Sequence, residues 1–152
     1  MRGPRLLPSL RRPLRQGGLD LEARDAGRVV GIEIVPDAVR DARANATANG
    51  IGNCSFRAGD AVDLLHDLSA EGHAPAVAVL NPPRAGCDSA VLAALADLRP
   101  RLIVYVSCHP DTLARDLDIL TGRGFHTAEV QPVDMFPQTA HVECVARIAP
   151  VR

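Results

Sequence analysis

The stretch "RVVGIEIVPDAVRDARANATANG", residues 28–50, decides the fold. Its first part is a short apolar run that ends on an acid, Glu33. That is the pattern of a strand buried on both faces in a parallel sheet. Pro36 suits the first turn of a helix, where its missing N–H is not needed. Ala38, Val39, Ala42 and Ala46 then recur at helical spacing, and Gly50 ends the run. A strand followed by a helix is therefore expected here.

The same alternation continues along the chain. "NCSFRAG" (53–59) reads as a strand, with a short helix from Asp60 to about Leu68. "AVAVLN" (76–81) is a strand, followed by Pro82-Pro83 and a helix near residues 89–98. "RLIVYVS" (101–107) is a strand, followed by a helix near residues 111–121. "FHTAEVQPVD" (125–134) and "HVECVARIA" (141–149) come without a helix between them. Repeated strand–helix units imply an α/β fold, a mostly parallel sheet with helices on both faces. The last two strands are expected to close it as an antiparallel pair. Residues 1–25 carry Pro4, Pro8, Pro13, Gly17 and Gly18 and no sustained periodicity. They are expected to be a poorly ordered segment ahead of a folded domain over residues 26–152.

Bulk numbers bound the function. The chain has 152 residues, 47% hydrophobic, which suits one domain with a real core. Aromatics are 3% and Trp is absent, so aliphatic side chains must fill that core. Net charge is −1, so any nucleic-acid surface must be a local basic groove rather than a whole-chain property. No run approaches the roughly 18 apolar residues of a membrane span, and "LLPSL" is too short for a secretory signal. Cys54, Cys87, Cys108 and Cys144 form no CxxC pair, which gives a metal site little support. Their wide spacing fits reduced thiols in the cytoplasm.

Open α/β sheets bind ligands at the carboxyl ends of their strands. The polar residues there are Glu33, Asp60, Asn81 and Cys108, expected along one edge. Glu33 suits either a ribose-binding acceptor or an acid placed at a helix start. Asp60 could accept from an adenine amino group or cap the next helix. In "NPPRAG" (81–86) two prolines fix a rigid turn, which either holds Asn81 at the cleft or is simply a stiff loop. Cys108 ends a strand among polar neighbours, and Pro110 stops the strand from continuing. A thiol so placed is either a small inert hydrophobe or a nucleophile beside a helix N-terminus. Glu143 lies in an apolar strand, where an acid needs a partner or an exposed face. The other cysteines read as structural.

Taken together, "VVGIEIVPDAVRDARANATANGI", "NPPRAG", "YVSCHPDTLARDL" and "DMFPQTAHVECVA" resemble, in order, the motifs of the RNA 5-methyluridine methyltransferases. The resemblance covers residues 28–148. It implies the Rossmann-like class I methyltransferase fold and S-adenosylmethionine as methyl donor. It implies tRNA or rRNA as substrate, Cys108 as nucleophile and Glu143 as general base. By the same likeness Glu33, Asp60 and Asn81 bind the donor.

The sequence departs from that family at three places. Asn81 stands where the family usually has Asp, and His109 where it usually has Asn. The family's first motif, a strand, a Gly-rich turn and a helix, is not found. Only residues 22–27 separate a short apolar stretch at 19–21 from the strand at 28, whereas a parallel crossover needs about a dozen residues. The central strand, with its Gly-rich loop, is therefore expected to be missing or wrongly joined. This leaves two further readings: a non-catalytic remnant or binding module, and an amino-group methyltransferase suggested by Asn81-Pro82-Pro83.

Overall fold

The computed structural model describes residues 26–151 apart from Phe136 and Ala140. The expectations for residues 1–25, the stretch at 19–21 included, lie outside the described residues. The chain divides into two compact units, residues 1–64 and 65–152.

The first unit holds β1 (Val29–Glu33), α1 (Pro36–Ala48), β2 (Cys54–Ala58) and the start of α2 (Ala61–Ala70). β1 and β2 are parallel, with Val29 opposite Cys54 and Glu33 opposite Ala58. Val39 and Ala46 of α1 are buried with Phe56 of β2, and Ala42, Ile51 and Cys54 pack around them. Ala38 is exposed, so the apolar stripe is narrower than its spacing suggested. Pro36 starts α1 after Val35, which makes no side-chain cap. Gly50 ends the helix at φ +67°, a conformation glycine adopts without the Cβ penalty, and its N–H donates to the Thr47 carbonyl (3.1 Å). The Arg43 guanidinium donates to the Phe56 carbonyl (2.6 Å), tying helix to strand.

The second unit holds the rest of α2, then β3 (Val77–Leu80), α3 (Ser89–Asp97), β4 (Leu102–Ser107), α4 (Pro110–Gly122), β5 (Phe125–Val133) and β6 (Glu143–Pro150). Its sheet runs in the order β3-β4-β6-β5. β3 and β4 are parallel, and β6 is antiparallel to both β4 and β5. Alternation along β6 turns Cys144, Ala146 and Ile148 into the core, where they meet Ile103 and Tyr105 of β4. The antiparallel closing pair expected from the sequence is present. The last strand is nevertheless an inner one, so Glu143 does not sit on an edge strand.

The sequence reading was of a mostly parallel sheet lacking its first strand, and the described residues form a two-stranded and a four-stranded sheet. Among the described residues β1 pairs only with β2, and β3 only with β4.

Candidate active site

Cys108 follows the last residue of β4 and precedes the start of α4 by two positions. The turn around it is built by Ser107. The buried Ser107 hydroxyl donates to the His109 carbonyl (3.0 Å) and accepts from the His109 N–H (3.1 Å), closing a small ring over Cys108. His109 is extended, at φ −144° and ψ 108°, and is the N-cap of α4 without a side-chain cap. Pro110 at the first helical position fixes the break. Cys108 is left partly exposed.

The β4–β6 ladder ends beside it. Ser107 of β4 lies opposite Cys144 of β6, the last pair of an unbroken antiparallel register. Cys108 follows that last pair by one residue, and Glu143, the first residue of β6, precedes it by one. A thiol and a carboxylate from distant parts of the chain thus end two neighbouring strands at the same edge. Asn81 directly follows β3, the parallel neighbour of β4 on its other side, and is exposed there. Glu143, Cys108 and Asn81 therefore stand at the ends of three consecutive strands.

Glu33 and Asp60 belong to the first unit, at the carboxyl ends of its two parallel strands. One oxygen of Glu33 accepts from the Val35 N–H (3.0 Å), which fixes the carboxylate at the end of β1. Ile34 and Val35 beside it are exposed, at 67% and 50%. Asp60 accepts from the Val62 N–H (2.8 Å) through Oδ1, so it serves the start of α2 as a cap.

Sequence reasoning passed over Asp116. It is fully buried, and its carboxylate gathers four donors. Oδ2 accepts from the Tyr105 hydroxyl and from the Cys87 N–H (2.7 Å). Oδ1 accepts from Arg115 Nε (2.9 Å) and Nη2 (2.6 Å). Burial and this carboxylate hold the Tyr105 phenol well above its usual range, so it stays a donor. The hydrogen bond to Asp116 likewise raises Arg115. A signal was available: Asp116 falls between Leu113 and Leu120 on the buried stripe of α4, where an acid needs partners. The Nδ1 of His109 is buried without a hydrogen-bond partner.

A family model described as tRNA (Uracil-5-)-methyltransferase matches residues 18–149. An uncharacterized RNA methyltransferase of Geobacter sulfurreducens is 57% identical over 131 residues, 86% of this chain and 26% of that protein. Another, from Oceanobacillus iheyensis, is 52% identical over 83% of this chain and 28% of its own length. The chain thus spans about a quarter of the length of the curated relatives it matches. Among solved structures, the Pyrococcus abyssi tRNA (uracil-54, C5)-methyltransferase, in complex with S-adenosyl-L-homocysteine, superposes with a TM-score of 0.71. Its identity is 29%, over 88% of this chain and 32% of that one. An rRNA methylase from Streptococcus thermophilus shares the fold, with a TM-score of 0.69 at 12% identity, over 89% of this chain and 80% of its own. The class I methyltransferase fold and the succession of motifs agree with these matches, and the chain belongs to the tRNA (uracil-5-)-methyltransferase family.

Proposed function

We propose that the chain carries the reacting groups of an S-adenosylmethionine-dependent RNA uracil-C5 methyltransferase acting on tRNA or rRNA, with Cys108 as nucleophile and Glu143 as base. The support for this reading is the β4–β6 register: it ends on Ser107 opposite Cys144, so Cys108 and Glu143 each lie one residue past the last pair, at the same end of neighbouring strands. Four free cysteines support a reducing compartment such as the cytoplasm. Among the described residues no helix is long and apolar enough to cross a membrane.

The chemistry needs both groups. C5 of uracil is a weak nucleophile, and the methyl donor supplies a sulfonium-bound methyl group that only an activated carbon attacks. The Cys108 thiolate adds to C6, forming the S–C6 bond and moving the C5=C6 electron pair into an enolate. C5 then takes the methyl group, and the donor's sulfur leaves with the electrons of its broken bond. Glu143 accepts the C5 proton. The electrons of the C5–H bond restore C5=C6 as the S–C6 bond breaks, which regenerates the thiolate. Reaching both faces of the ring requires a base that is unstacked or flipped out. Glu33, Asp60 and Asn81 would hold the donor. A fixed carboxylate suits a pair of ribose hydroxyls, and Ile34 offers apolar surface to a flat base.

The test is mechanism-based trapping. RNA containing 5-fluorouridine is methylated at C5, but fluorine cannot leave as the proton does, so the adduct persists. Incubation with S-adenosylmethionine and this RNA should give a denaturation-resistant complex that maps to Cys108 and is lost in Cys108→Ala. With ordinary uridine RNA, Glu143→Gln should accumulate the same adduct. An adduct that survives Cys108→Ala overturns the assignment.

A second reading, a remnant or binding module without activity, is favoured by the edges of β1 and β3 that are unpaired among the described residues. Calorimetric titration separates the two: micromolar donor binding speaks against the remnant.

A further inference from the structure

We propose that Asp116 is a positioning residue for the thiol: by gripping the loop after β3, its carboxylate fixes the turn that carries Cys108 relative to the strand end that carries Asn81. The proposal rests on the reading of Cys108 as nucleophile.

Three residues of α4 hold that loop, and they hold it by its backbone. The Thr112 hydroxyl donates to the Arg84 carbonyl (3.1 Å) and to the His109 carbonyl (3.1 Å), bridging the loop to the turn itself. Arg115 Nη2 donates to the carbonyls of Ala85 (3.1 Å) and Cys87 (3.2 Å). Asp116 accepts from the Cys87 N–H (2.7 Å), so Cys87 is held at both its N–H and its C=O.

The hub reaches the thiol from both sides along the chain. Tyr105, three residues before Cys108, donates to Asp116 from within β4. Pro110, two residues after it, begins the helix that bears Asp116. Adjacent residues of a helix do not face each other, so Arg115 must fold back to reach Oδ1, and doing so lays its guanidinium across the loop. Gly86 completes the fit. A Cβ there would stand 2.5 Å from Arg115 Nη2 and 2.8 Å from Asp116 Oδ2, so the loop passes where only glycine leaves room. A core that needed only filling would be served as well by an apolar residue at 116. This network instead directs a buried carboxylate and a half-exposed guanidinium at loop backbone atoms.

Asp116→Asn and Tyr105→Phe, each in the full chain, test the proposal. The amide keeps the size of the carboxylate but offers a single acceptor oxygen where four donors converge. The phenyl ring removes one donor and keeps the core filled. Two rates are measured on protein shown to be folded by circular dichroism. One is alkylation of Cys108 by iodoacetamide, followed by mass spectrometry. The other is single-turnover adduct formation with S-adenosylmethionine and saturating 5-fluorouridine RNA, with RNA affinity measured separately.

In Asp116→Asn the adduct rate is expected to fall about 10- to 100-fold, as for a reacting group displaced by about 1 Å, with RNA affinity changed by less than about threefold. Cys108 alkylation shifts with it, and Tyr105→Phe shows a smaller change of the same kind. A purely structural role would lower the melting temperature and leave the saturated rate of the folded protein unchanged. Both rates within about twofold of the parent in the folded variants overturn the proposal. If Asp116→Asn does not fold, Tyr105→Phe decides by the same criteria. If the parent forms no adduct at Cys108, the catalytic reading fails, while alkylation still decides whether Asp116 places the thiol.

Discussion

Cys87 and Cys108 lie on neighbouring loops, and their surroundings give them different roles. The Cys87 thiol, partly buried, is pushed up from 9.0 to about 11, first by burial and then by the Asp116 carboxylate. Burial, and then Glu143, raises the Cys144 thiol as well. Both remain protonated hydrophobes at neutral pH, in keeping with the structural roles expected of them. For Cys87 the shift has a consequence for stability. Below about pH 9 the thiol is protonated in folded and unfolded chains alike, and its contribution is intact. Between 9 and 11 the unfolded chain binds fewer protons than the folded one, so stability falls as pH rises through about 11. The melting temperature should therefore decline across that window, and Cys87→Ala should flatten part of the decline. An unchanged slope in the variant would show that Cys87 titrates alike in the folded and unfolded chains.

At the scale of elements, the proline and alternation signals placed each strand and helix, because they depend on neighbouring residues. Pro36 and Pro110 each open a helix whose N-cap makes no side-chain bond, so proline alone marks those starts. Strand order left a fainter trace. β6 inserts between β4 and β5, and only Pro132, which has no N–H to give a second neighbour, marks β5 as the edge. The β4–β6 register, which ends one residue short of Cys108 and Glu143, could not be read from either strand alone; the resemblance supplied their pairing as an expectation. Asp116 stayed hidden because its partners in the loop are backbone atoms some 29 residues earlier, which any side chains there would present.

The loop ahead of α3 allows a graded test of this level. Asp88 caps α3 by accepting from the Ala90 N–H (2.7 Å), and Asp88→Ala should cost about 1 kcal/mol. Gly86→Ala should cost more, about 2 kcal/mol or above. Its φ of +81° is left-handed, and the added methyl would meet the short, buried Asp116 side chain, which cannot swing aside. Urea unfolding of both variants measures the difference. A Gly86→Ala variant as stable as the parent would mean that the loop is not pinned by α4.

For the whole molecule, the split into two sheets matters more than any single contact. β3 shows an unpaired side among the described residues, and its Val77 and Val79 are exposed at 51% and 43%. Unpaired N–H and C=O groups beside exposed apolar side chains form a template for another strand, and natural sheets normally blunt such an edge with charge or cover. β3 carries no charge: its four residues are Val, Ala, Val and Leu. β5, the opposite edge of the same sheet, carries Glu129, whose carboxylate meets Arg147 of β6 at 3.1 Å, and it carries Pro132 as well. Association should therefore proceed through β3 rather than β5. In the micromolar to millimolar range the chain should self-associate, and Val79→Lys should shift sedimentation-velocity profiles toward monomer. Glu129→Lys on β5 serves as the control and should leave the profile unchanged. A parent chain that stays monomeric throughout, or a β5 variant as effective as the β3 variant, would mean that the β3 edge is not the adhesive one.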